Sequence, residues 1–257
     1  VGGWPQNADM EVVPSLRVVL VRHAQSEANA ERRMQGQSGG KLTPLGRRQA
    51  RALGERFRRE YPQGFDAAYA SDLARVIETA SAVELSGVPL ELDPSLRERA
   101  VGSLEGEPHG TADRLARATG TPAREFRAPD GGESWEEVAA RARAFFDASL
   151  ARHFPNAGEA RIVAFTHGGF IKELVNALVR ARNVHVTGLA PNPATPLYPN
   201  KASNACVYEL VCTRTGGAGE ADELSVHFAV ENCAAHARSI AAFFSAAPTS
   251  TSSPAPA

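Results

Sequence analysis

The sequence predicts an α/β protein, a three-layer sandwich with a mainly parallel central sheet, helices on both faces and a C-terminal hairpin at the sheet edge. Three observations predict this fold. Strand-like runs alternate with helical segments along most of the chain, which favours parallel strands joined by crossover helices. The run from Leu16 to Val21 has the composition of a strand buried on both faces, which makes it the central strand. Two strand-like segments near the C-terminus flank a glycine-rich turn.

The first confident helix begins at Thr43 and Pro44, an N-cap residue followed by a proline at the first helical position. Leu45, Leu53 and Phe57 then supply its apolar positions. The later segments are predicted in chain order as a strand at 66–71, a helix at 74–85, an extended segment at 88–98, a helix at 134–154, a strand at 161–166, a helix at 169–182 and the hairpin strands 205–212 and 224–231.

Two stretches match no pattern, Gly102 to Gly132 and Asn183 to Lys201. Loops of this length inside a compact domain are usually functional covers or disordered. Because no linker or internal repeat divides the chain, we expect a single domain over residues 16–245, with an N-terminal extension at 1–15. The final segment 246–257 is rich in Ser, Pro and Ala, and we expect it to be a disordered low-complexity tail.

Composition excludes several classes of partner. The 257 residues carry 28 basic and 29 acidic side chains, a net charge of −1, which argues against a general binder of nucleic acid or of anionic membranes. No run approaches the length of a membrane span, and the opening residues predict no signal peptide. The three cysteines have no metal-binding spacing and fit reduced thiols, so we expect a cytoplasmic protein. Composition leaves the oligomeric state open.

Charged and titratable residues follow three predicted strands. Arg22 and His23 end the central strand, Arg75 opens the helix after the second strand, and His167 follows a third strand. In open α/β sheets, ligands bind at the carboxyl ends of the strands. A cation in the first turn of a helix is unfavourable unless an anion is nearby, so Arg75 indicates an anion site. A second Arg-His pair, Arg152 and His153, lies at the end of a predicted helix. We interpret its positive charge as one that complements the negative C-terminal end of the helix dipole.

Glu98 ends the extended segment and is the obvious carboxylate for proton transfer near these groups.

Motifs of other enzyme classes are excluded because their surroundings in the sequence do not fit. The segment Gly36 to Gly40 matches the nucleophile elbow of serine hydrolases, but no buried strand precedes it. A P-loop is excluded because Gln35 stands where its first glycine belongs. No zinc-protease or dinucleotide motif occurs, so the sequence implies no metal and no cofactor.

Five motifs in order resemble the histidine phosphatase superfamily, in its phosphoglycerate-mutase-like branch. They are LVRHAQSEANAERRMQGQ, SDLARVIETA, LRERAVGSLEG, PDGGES and FTHGGF, and the resemblance spans Leu16 to Tyr208. The family usually has Gly after the first histidine, where this chain has Ala24. That departure removes no reacting group.

The resemblance implies an enzyme that hydrolyses a small phosphorylated metabolite, without metal or cofactor, through a phosphohistidine. It implies that the ε nitrogen of His23 is the nucleophile and Glu98 the acid and base. Arg22, Arg75 and His167 would surround the phosphoryl group. Substrate contacts are expected from the positions Asn29, Gln35, Gly36 and Gly168.

The motifs leave the substrate open. A phosphatase is favoured over a phosphoglycerate mutase, because residues 103–120 lack the adjacent arginines and the tyrosine of the mutase lid. Short features are similar to the TIGAR-type fructose-2,6-bisphosphatases. A catalytically inactive binding member of the same family is the remaining alternative. Substrate selectivity is expected from the two unassigned stretches and from basic residues such as Arg99, Lys172 and Lys201.

Overall fold

A computed structural model describes residues 13–85, 87–189, 202–215 and 223–233. For Thr215 and for residues 231–233 it describes the backbone alone. The predicted tail at 246–257, most of the predicted extension at 1–15 and the end of the expected domain at 234–245 lie outside the described residues, as does Lys201.

The described residues form one seven-stranded sheet in the order β3-β2-β4-β1-β6-β7-β5. Its strands are β1 Ser15–Arg22, β2 Ala67–Ala70, β3 Leu90–Leu92, β4 Glu159–Thr166, β5 Val184–Thr187, β6 Val207–Thr215 and β7 Glu223–Cys233. Pairing is parallel from β3 through β1 and between β7 and β5, and antiparallel on both sides of β6. The predicted mainly parallel sheet, with β1 in its centre, is confirmed.

The predicted C-terminal hairpin forms as the antiparallel pair β6 and β7, but it does not lie at the edge of the sheet. The edge position belongs to β5, a four-residue strand within the stretch that had no assignment. Val184 and Val186 pack against the main core, which explains why this strand adds to β7. A segment of four residues is too short for its alternation to be distinguished from a loop in the sequence.

Helices cover both faces of the sheet, as predicted. They are α1 Glu27–Ala30, α2 Pro44–Glu60, α3 Ala74–Val83, α4 Thr111–Ala118, α5 Trp135–His153 and α6 Gly168–Arg180. Successive residues of a strand point to opposite faces. In β1, Leu16, Val18 and Leu20 therefore join the core beneath α5 and α6, whereas Val19 and Val21 join the core beneath α2 and α3. Among the described residues, no helix has the length and apolar character that a membrane span needs.

The first unassigned stretch folds into a small cover with a core of its own. It contains a 3-10 turn at Gly102–Leu104 and the helix α4. The cover packs around a separate apolar cluster of Val101, Leu104, Ala112, Ala116, Phe126 and Ala128, with Met34 against it. This cluster is distinct from the two cores of the sheet. The stretch is therefore an ordered wall above the carboxyl ends of the strands, which agrees with the first of the two alternatives expected for it, a functional cover.

Candidate active site

Three parallel strands end together at one edge of the sheet. Arg22 at the end of β1 pairs with Thr166 at the end of β4, and Ala70 at the end of β2 pairs with Phe165. The backbone amide of His23 donates to the carbonyl of Thr166 at 2.9 Å, so the residue that follows β1 is held against the end of β4. A cavity of about 580 Å³ opens above these ends, between the sheet and the cover.

Most of the residues that the sequence singled out line this cavity. They are Arg22, His23, Asn29, Gln35, Gly36, Arg75, Glu98, Arg99, Gly168 and Lys172. The cover contributes Val101, His109, Gly110, Ala112 and Asp113, and Trp135 stands at the start of α5. The second Arg-His pair is elsewhere: His153 hydrogen bonds to the hydroxyl of Tyr69 at 2.6 Å and is not among the cavity residues.

His23 is buried and presents one ring nitrogen for chemistry. Its Nδ1 lies 2.7 Å from the carbonyl oxygen of Ala24, and a carbonyl only accepts, so Nδ1 carries the proton of the neutral ring. Burial lowers the pKa of His23 well below its usual value, and the charges of Arg22 and Arg75 lower it further. The ring is therefore neutral at ordinary pH, with an unprotonated Nε2. The alanine in place of the family's glycine leaves this arrangement intact.

Two guanidinium groups flank His23. Arg22 donates to the carbonyl of Ala202 at 2.5 Å and to Asn29 Oδ1 at 3.3 Å. Arg75 donates to the carbonyls of Gly36 at 2.8 Å and Ser38 at 3.1 Å. These contacts leave the Nε of each guanidinium buried and without a hydrogen-bond partner among the described residues. Burial lowers the pKa of Arg75 to about 10 and also lowers that of Arg22, so both remain cationic at neutral pH.

His167 lies directly behind these groups. Its ring is 5.2 Å from the ring of His23, but His167 is fully buried and is not among the residues that line the cavity. Its Nδ1 lies 3.2 Å from Arg75 Nη2, which can only donate, and its Nε2 lies 3.0 Å from Ser71 Oγ. Burial and Arg75 lower its pKa well below the usual value. In this geometry His167 orients Arg75 as a neutral acceptor, rather than adding a positive charge.

Glu98 is held by two backbone amides. Its Oε1 accepts from the amide of Arg99 at 2.9 Å, and its Oε2 accepts from the amide of Gly169 at 3.0 Å. Gly169 is needed at this position, since a Cβ there would lie 2.0 Å from Glu98 Oε1 and 2.9 Å from the ring of Trp135. The start of α6 therefore fixes the carboxylate at the wall of the cavity.

Two of the side chains expected to contact substrate, Asn29 and Gln35, already have hydrogen-bond partners within the protein. Gln35 accepts from Ser26 Oγ at 2.8 Å and donates to the carbonyl of Gly39 at 2.9 Å, so its side chain shapes the loop. Gly36 is buried at φ +55°, where a Cβ would lie 2.6 Å from Val101. The sequence analysis missed Asn204, which donates to Asn29 Oδ1 at 2.7 Å. No local pattern marks Asn204, because the two residues are 175 positions apart in the chain.

Two further cations that line the cavity lie against the ring of Trp135. Arg99 is 4% exposed, and its guanidinium carbon lies 4.2 Å from the ring centroid of Trp135. Lys172 Nζ lies 4.8 Å from the same centroid. Within the described part of the chain, no cluster of His, Cys, Asp and Glu has the arrangement of a metal site.

Comparisons with known proteins agree with this geometry. The model of the histidine phosphatase superfamily (branch 1) matches residues 18–216. Phosphoglycerate mutase-like protein 4 of Arabidopsis thaliana is 34% identical over 172 residues, which cover 65% of this chain and 72% of that protein. The metal-independent phosphoserine phosphatase of Arabidopsis thaliana is 31% identical over 184 residues, covering 69% and 74%. A solved mycobacterial glucosyl-3-phosphoglycerate phosphatase with inorganic phosphate has a TM-score of 0.62 at 31% identity, covering 86% of this chain and 98% of that one.

Proposed function

This chain belongs to the histidine phosphatase superfamily and is a phosphoric monoester hydrolase, and we propose that it works without metal through a phosphohistidine on His23. One observation carries the proposal. A neutral imidazole with its Nδ1 bound to a carbonyl lies beside two guanidinium groups, each with a buried Nε donor that has no acceptor in the part of the chain that the structure describes. A phosphoryl group placed on Nε2 of His23 would supply acceptors for both donors.

In the first step, Nε2 of His23 attacks phosphorus and the ester P–O bond breaks. Glu98, protonated at that point, gives its proton to the leaving oxygen. The positive charges of Arg22 and Arg75 stabilise the negative charge of the transferring phosphoryl group. In other phosphoryl-transfer enzymes a metal ion supplies this stabilisation. The hydrogen bond from Nδ1 to the carbonyl of Ala24 keeps the ring oriented as the positive charge spreads into it.

In the second step, a water molecule attacks the phosphohistidine. Glu98, now ionised, takes the proton of this water, the P–N bond breaks, and His23 returns to its neutral form with release of inorganic phosphate. The amides of Arg99 and Gly169 hold the carboxylate in one place for both proton transfers. The same group therefore serves as acid and then as base.

The substrate in this proposal is a small phosphorylated metabolite, a sugar phosphate or a bisphosphate, with fructose 2,6-bisphosphate among the candidates. A cavity of about 580 Å³ has the size of sites that enclose ligands of this class. Two relatives are named as phosphatases, of phosphoserine and of glucosyl-3-phosphoglycerate, which supports hydrolysis of a phosphate ester on a small polar molecule. The expected cytoplasmic location remains a prediction, to which the buried, unpaired thiols of Cys206 and Cys212 conform.

Phosphoglycerate mutase is the second candidate, favoured by the name of one relative. A non-catalytic binding role is the third, and it requires that the arrangement around His23 be without activity. The cover carries Val101, His109 and Asp113 toward the cavity. Residues 103–120 lack the adjacent arginines and the tyrosine expected of a mutase lid. The hydrolase assignment therefore takes precedence.

The test is phosphate release from p-nitrophenyl phosphate by the wild type, His23→Ala and His153→Ala. We expect His23→Ala to lose essentially all activity, about 10⁴-fold or more, because the nucleophile is absent. His153→Ala is the matched control and should remain active, since His153 contacts Tyr69 away from the cavity. An alkaline quench should trap an acid-labile phosphoenzyme on the wild type only. Interconversion of 2- and 3-phosphoglycerate faster than phosphate release would identify a mutase instead.

A further inference from the structure

The segment that carries Glu98 belongs to no helix or strand. It follows a 3-10 turn at Pro94–Leu96, and residues 97–101 have no regular secondary structure. Backbone amides and carbonyls in such a segment lack the partners that a sheet or a helix supplies, so other groups have to bind them. The position of Glu98 therefore depends on the groups that hold this backbone.

Arg141 of α5 binds the backbone just before Glu98. Its Nη1 donates to the carbonyl of Ser95 at 2.6 Å and to the carbonyl of Arg97 at 2.8 Å. The carbonyl between these two accepts from Thr166 Oγ1 at 2.7 Å. Three successive carbonyls are therefore bound by side chains from distant parts of the chain, and one guanidinium binds two of them.

Glu133 orients Arg141 and binds the backbone just after Glu98. The Nε of Arg141 lies 3.2 Å from Oε1 of Glu133, and its Nη2 lies 2.9 Å from Oε2, so two parallel hydrogen bonds join the charged groups. The same carboxylate accepts from the amide of Ala100 at 2.8 Å, and the amide of Glu133 donates to the carbonyl of Ala100 at 2.9 Å. The Arg141–Glu133 pair thus holds the chain on both sides of Glu98.

Another ion pair of α5 shows how different this arrangement is. Arg143 pairs with Asp147 one turn later in the same helix at 2.8 Å, the common geometry of a helix surface. The side chains of Arg141 and Glu133 are more enclosed, at 19% and 23% exposure. An ion pair removed from water often contributes little net stability, because desolvation offsets the attraction between the charges. The contacts with the backbone around Glu98 are therefore what distinguishes the Arg141–Glu133 pair.

The carboxylate of Glu98 is sensitive to the position of its segment. Arg141 and Glu133 are not among the residues that line the cavity, but the carboxylate that they support is held from two sides. One amide, that of Arg99, belongs to the same segment, and the other, that of Gly169, belongs to α6. A shift of the segment relative to α6 would move the carboxylate, and a displacement of about an ångström near a reacting group can cost about 10²-fold in rate.

Building on the proposed phosphatase function, we propose that Arg141 and Glu133 are positioning residues for proton transfer by Glu98. They touch neither the substrate nor the phosphohistidine. By holding the backbone on both sides of Glu98, they keep its carboxylate where it meets the leaving oxygen and then the attacking water. Their loss should slow the proton transfers and leave phosphoryl binding unchanged, since the two guanidinium groups beside His23 are held by other contacts.

A double-mutant cycle tests this role, with the rate constant of dephosphorylation as its readout. The phosphoenzyme formed with p-nitrophenyl phosphate is followed by rapid alkaline quench in the wild type, Arg141→Met, Glu98→Gln and the double variant. We expect Arg141→Met to slow dephosphorylation by about 10²-fold when Glu98 is present, but by less than about threefold in the Glu98→Gln background. A residue that acts through Glu98 has nothing left to position once the carboxylate is gone, whereas a general structural role affects both backgrounds alike.

Inhibition by inorganic phosphate is the second readout. We expect its inhibition constant in Arg141→Met to stay within about twofold of that of the wild type, because the groups that bind the phosphoryl oxygens are unchanged. Arg143→Met is the matched control, since it breaks an ion pair of the same helix, and it should keep the wild-type rate constant.

Glu133→Gln is the second variant and serves if circular dichroism shows that Arg141→Met does not fold. Glutamine keeps the shape of the side chain but turns one acceptor oxygen into a donor that faces Arg141. We expect it to slow dephosphorylation by about tenfold when Glu98 is present, and by less than about threefold in the Glu98→Gln background.

The outcomes separate this inference from the proposed function. Equal slowing in both backgrounds, an unchanged rate constant in the folded variants, or phosphate inhibition weakened by tenfold or more would overturn the positioning role and leave the phosphatase in place. If the wild type hydrolyses no phosphate ester or forms no phosphoenzyme, the proposed function fails and this inference fails with it.

Discussion

At the scale of single residues, the protonation of the site is decided by burial. His23 and His167 lie almost entirely out of solvent beside Arg22 and Arg75, and each of these features disfavours the imidazolium form. The carbonyl of Ala24 and the guanidinium of Arg75 then fix which nitrogen of each ring carries the proton. The same side-chain type therefore has two different tasks at neighbouring strand ends: one ring presents a nucleophile, and the other accepts from Arg75.

This burial predicts a stability that falls in mild acid. Histidines in the unfolded chain bind protons near pH 6.5, whereas these buried histidines in the folded state stay neutral at that pH. Unfolding is therefore accompanied by proton uptake below pH 6.5, and it becomes more favourable as the pH falls. We expect the free energy of unfolding, measured by urea denaturation, to fall by about 1 kcal/mol for each of the two histidines between pH 7 and pH 5.5. His153, whose pKa is also lowered by burial, adds to the effect.

His23→Asn is the comparison for this measurement. Asparagine does not titrate in this range, so the variant should lose the share of the pH dependence that His23 supplies, whatever its stability at pH 7. Equal unfolding free energies of the wild type at pH 7 and pH 5.5 would show that these histidines take up protons in the folded state as readily as in the unfolded chain.

Glu98→Gln should separate the two half-reactions. With p-nitrophenyl phosphate the leaving group hardly needs a proton, but glutamine cannot take the proton of the attacking water. We expect dephosphorylation to slow by about 10²- to 10⁴-fold and phosphohistidine to accumulate, as measured by rapid alkaline quench. Glu107→Gln is the control, because Glu107 is exposed and does not line the cavity. Equal slowing of both steps would assign the water's proton to another group.

At the scale of elements, the junction between β4 and α6 does most to organise the site. His167 is the N-cap residue of α6, and the amide of Gly169 in its first turn binds Glu98 from a different part of the chain. Gly168 lies against Arg22, since a Cβ there would be 3.2 Å from Arg22 Nε. Two small residues thus let a helix start approach both a carboxylate and a guanidinium.

Gly169→Ala tests this junction. Its Cβ would overlap Glu98 Oε1, so the carboxyl group has to move by about an ångström, and a displacement of that size costs about 10²-fold in rate. We expect kcat/KM to fall by that factor while the thermal unfolding temperature changes little. Gly39→Ala is the matched control, because nothing lies within 4 Å of a Cβ at that position. Unchanged kinetics in Gly169→Ala would show that the position of Glu98 is not critical.

At the scale of the whole molecule, the cavity lies between two units with separate cores. The sheet supplies the reacting residues, and the cover, with its own cluster around Val101 and Phe126, supplies the opposite wall. Arg22 and Arg75, on the sheet side of the cavity, supply positive charge. The protein's own side chains can therefore stabilise the charge that develops during phosphoryl transfer.

Activity should therefore survive removal of metals. We expect the rate of p-nitrophenyl phosphate hydrolysis after dialysis against EDTA to stay within about twofold of the untreated enzyme, because Arg22 and Arg75 provide the charge. Addition of magnesium or zinc to the dialysed enzyme is the control and should give no increase. Complete loss of activity that either metal restores would contradict the metal-free mechanism.

The sequence by itself determined the fold class and the elements that bear the site. Strands and the longer helices are visible because apolar residues repeat at their periods, and because Thr43 and Ser134 form N-caps whose hydroxyl oxygens accept from backbone amides in the first turn. The three strand ends could be placed at one edge because parallel strands share a direction. These properties depend on residues close together in the chain.

Only the tertiary structure decided how the side chains meet. The sequence could not show that β5 displaces the hairpin from the edge, that 102–132 folds into a cover, or that Asn204 binds Asn29. It also could not show that Arg99 is buried against the ring of Trp135. Each of these depends on contacts between distant segments and on the solvent that those contacts exclude. Burial, hydrogen-bond partners and pKa are properties of the folded surroundings, and no residue carries them alone.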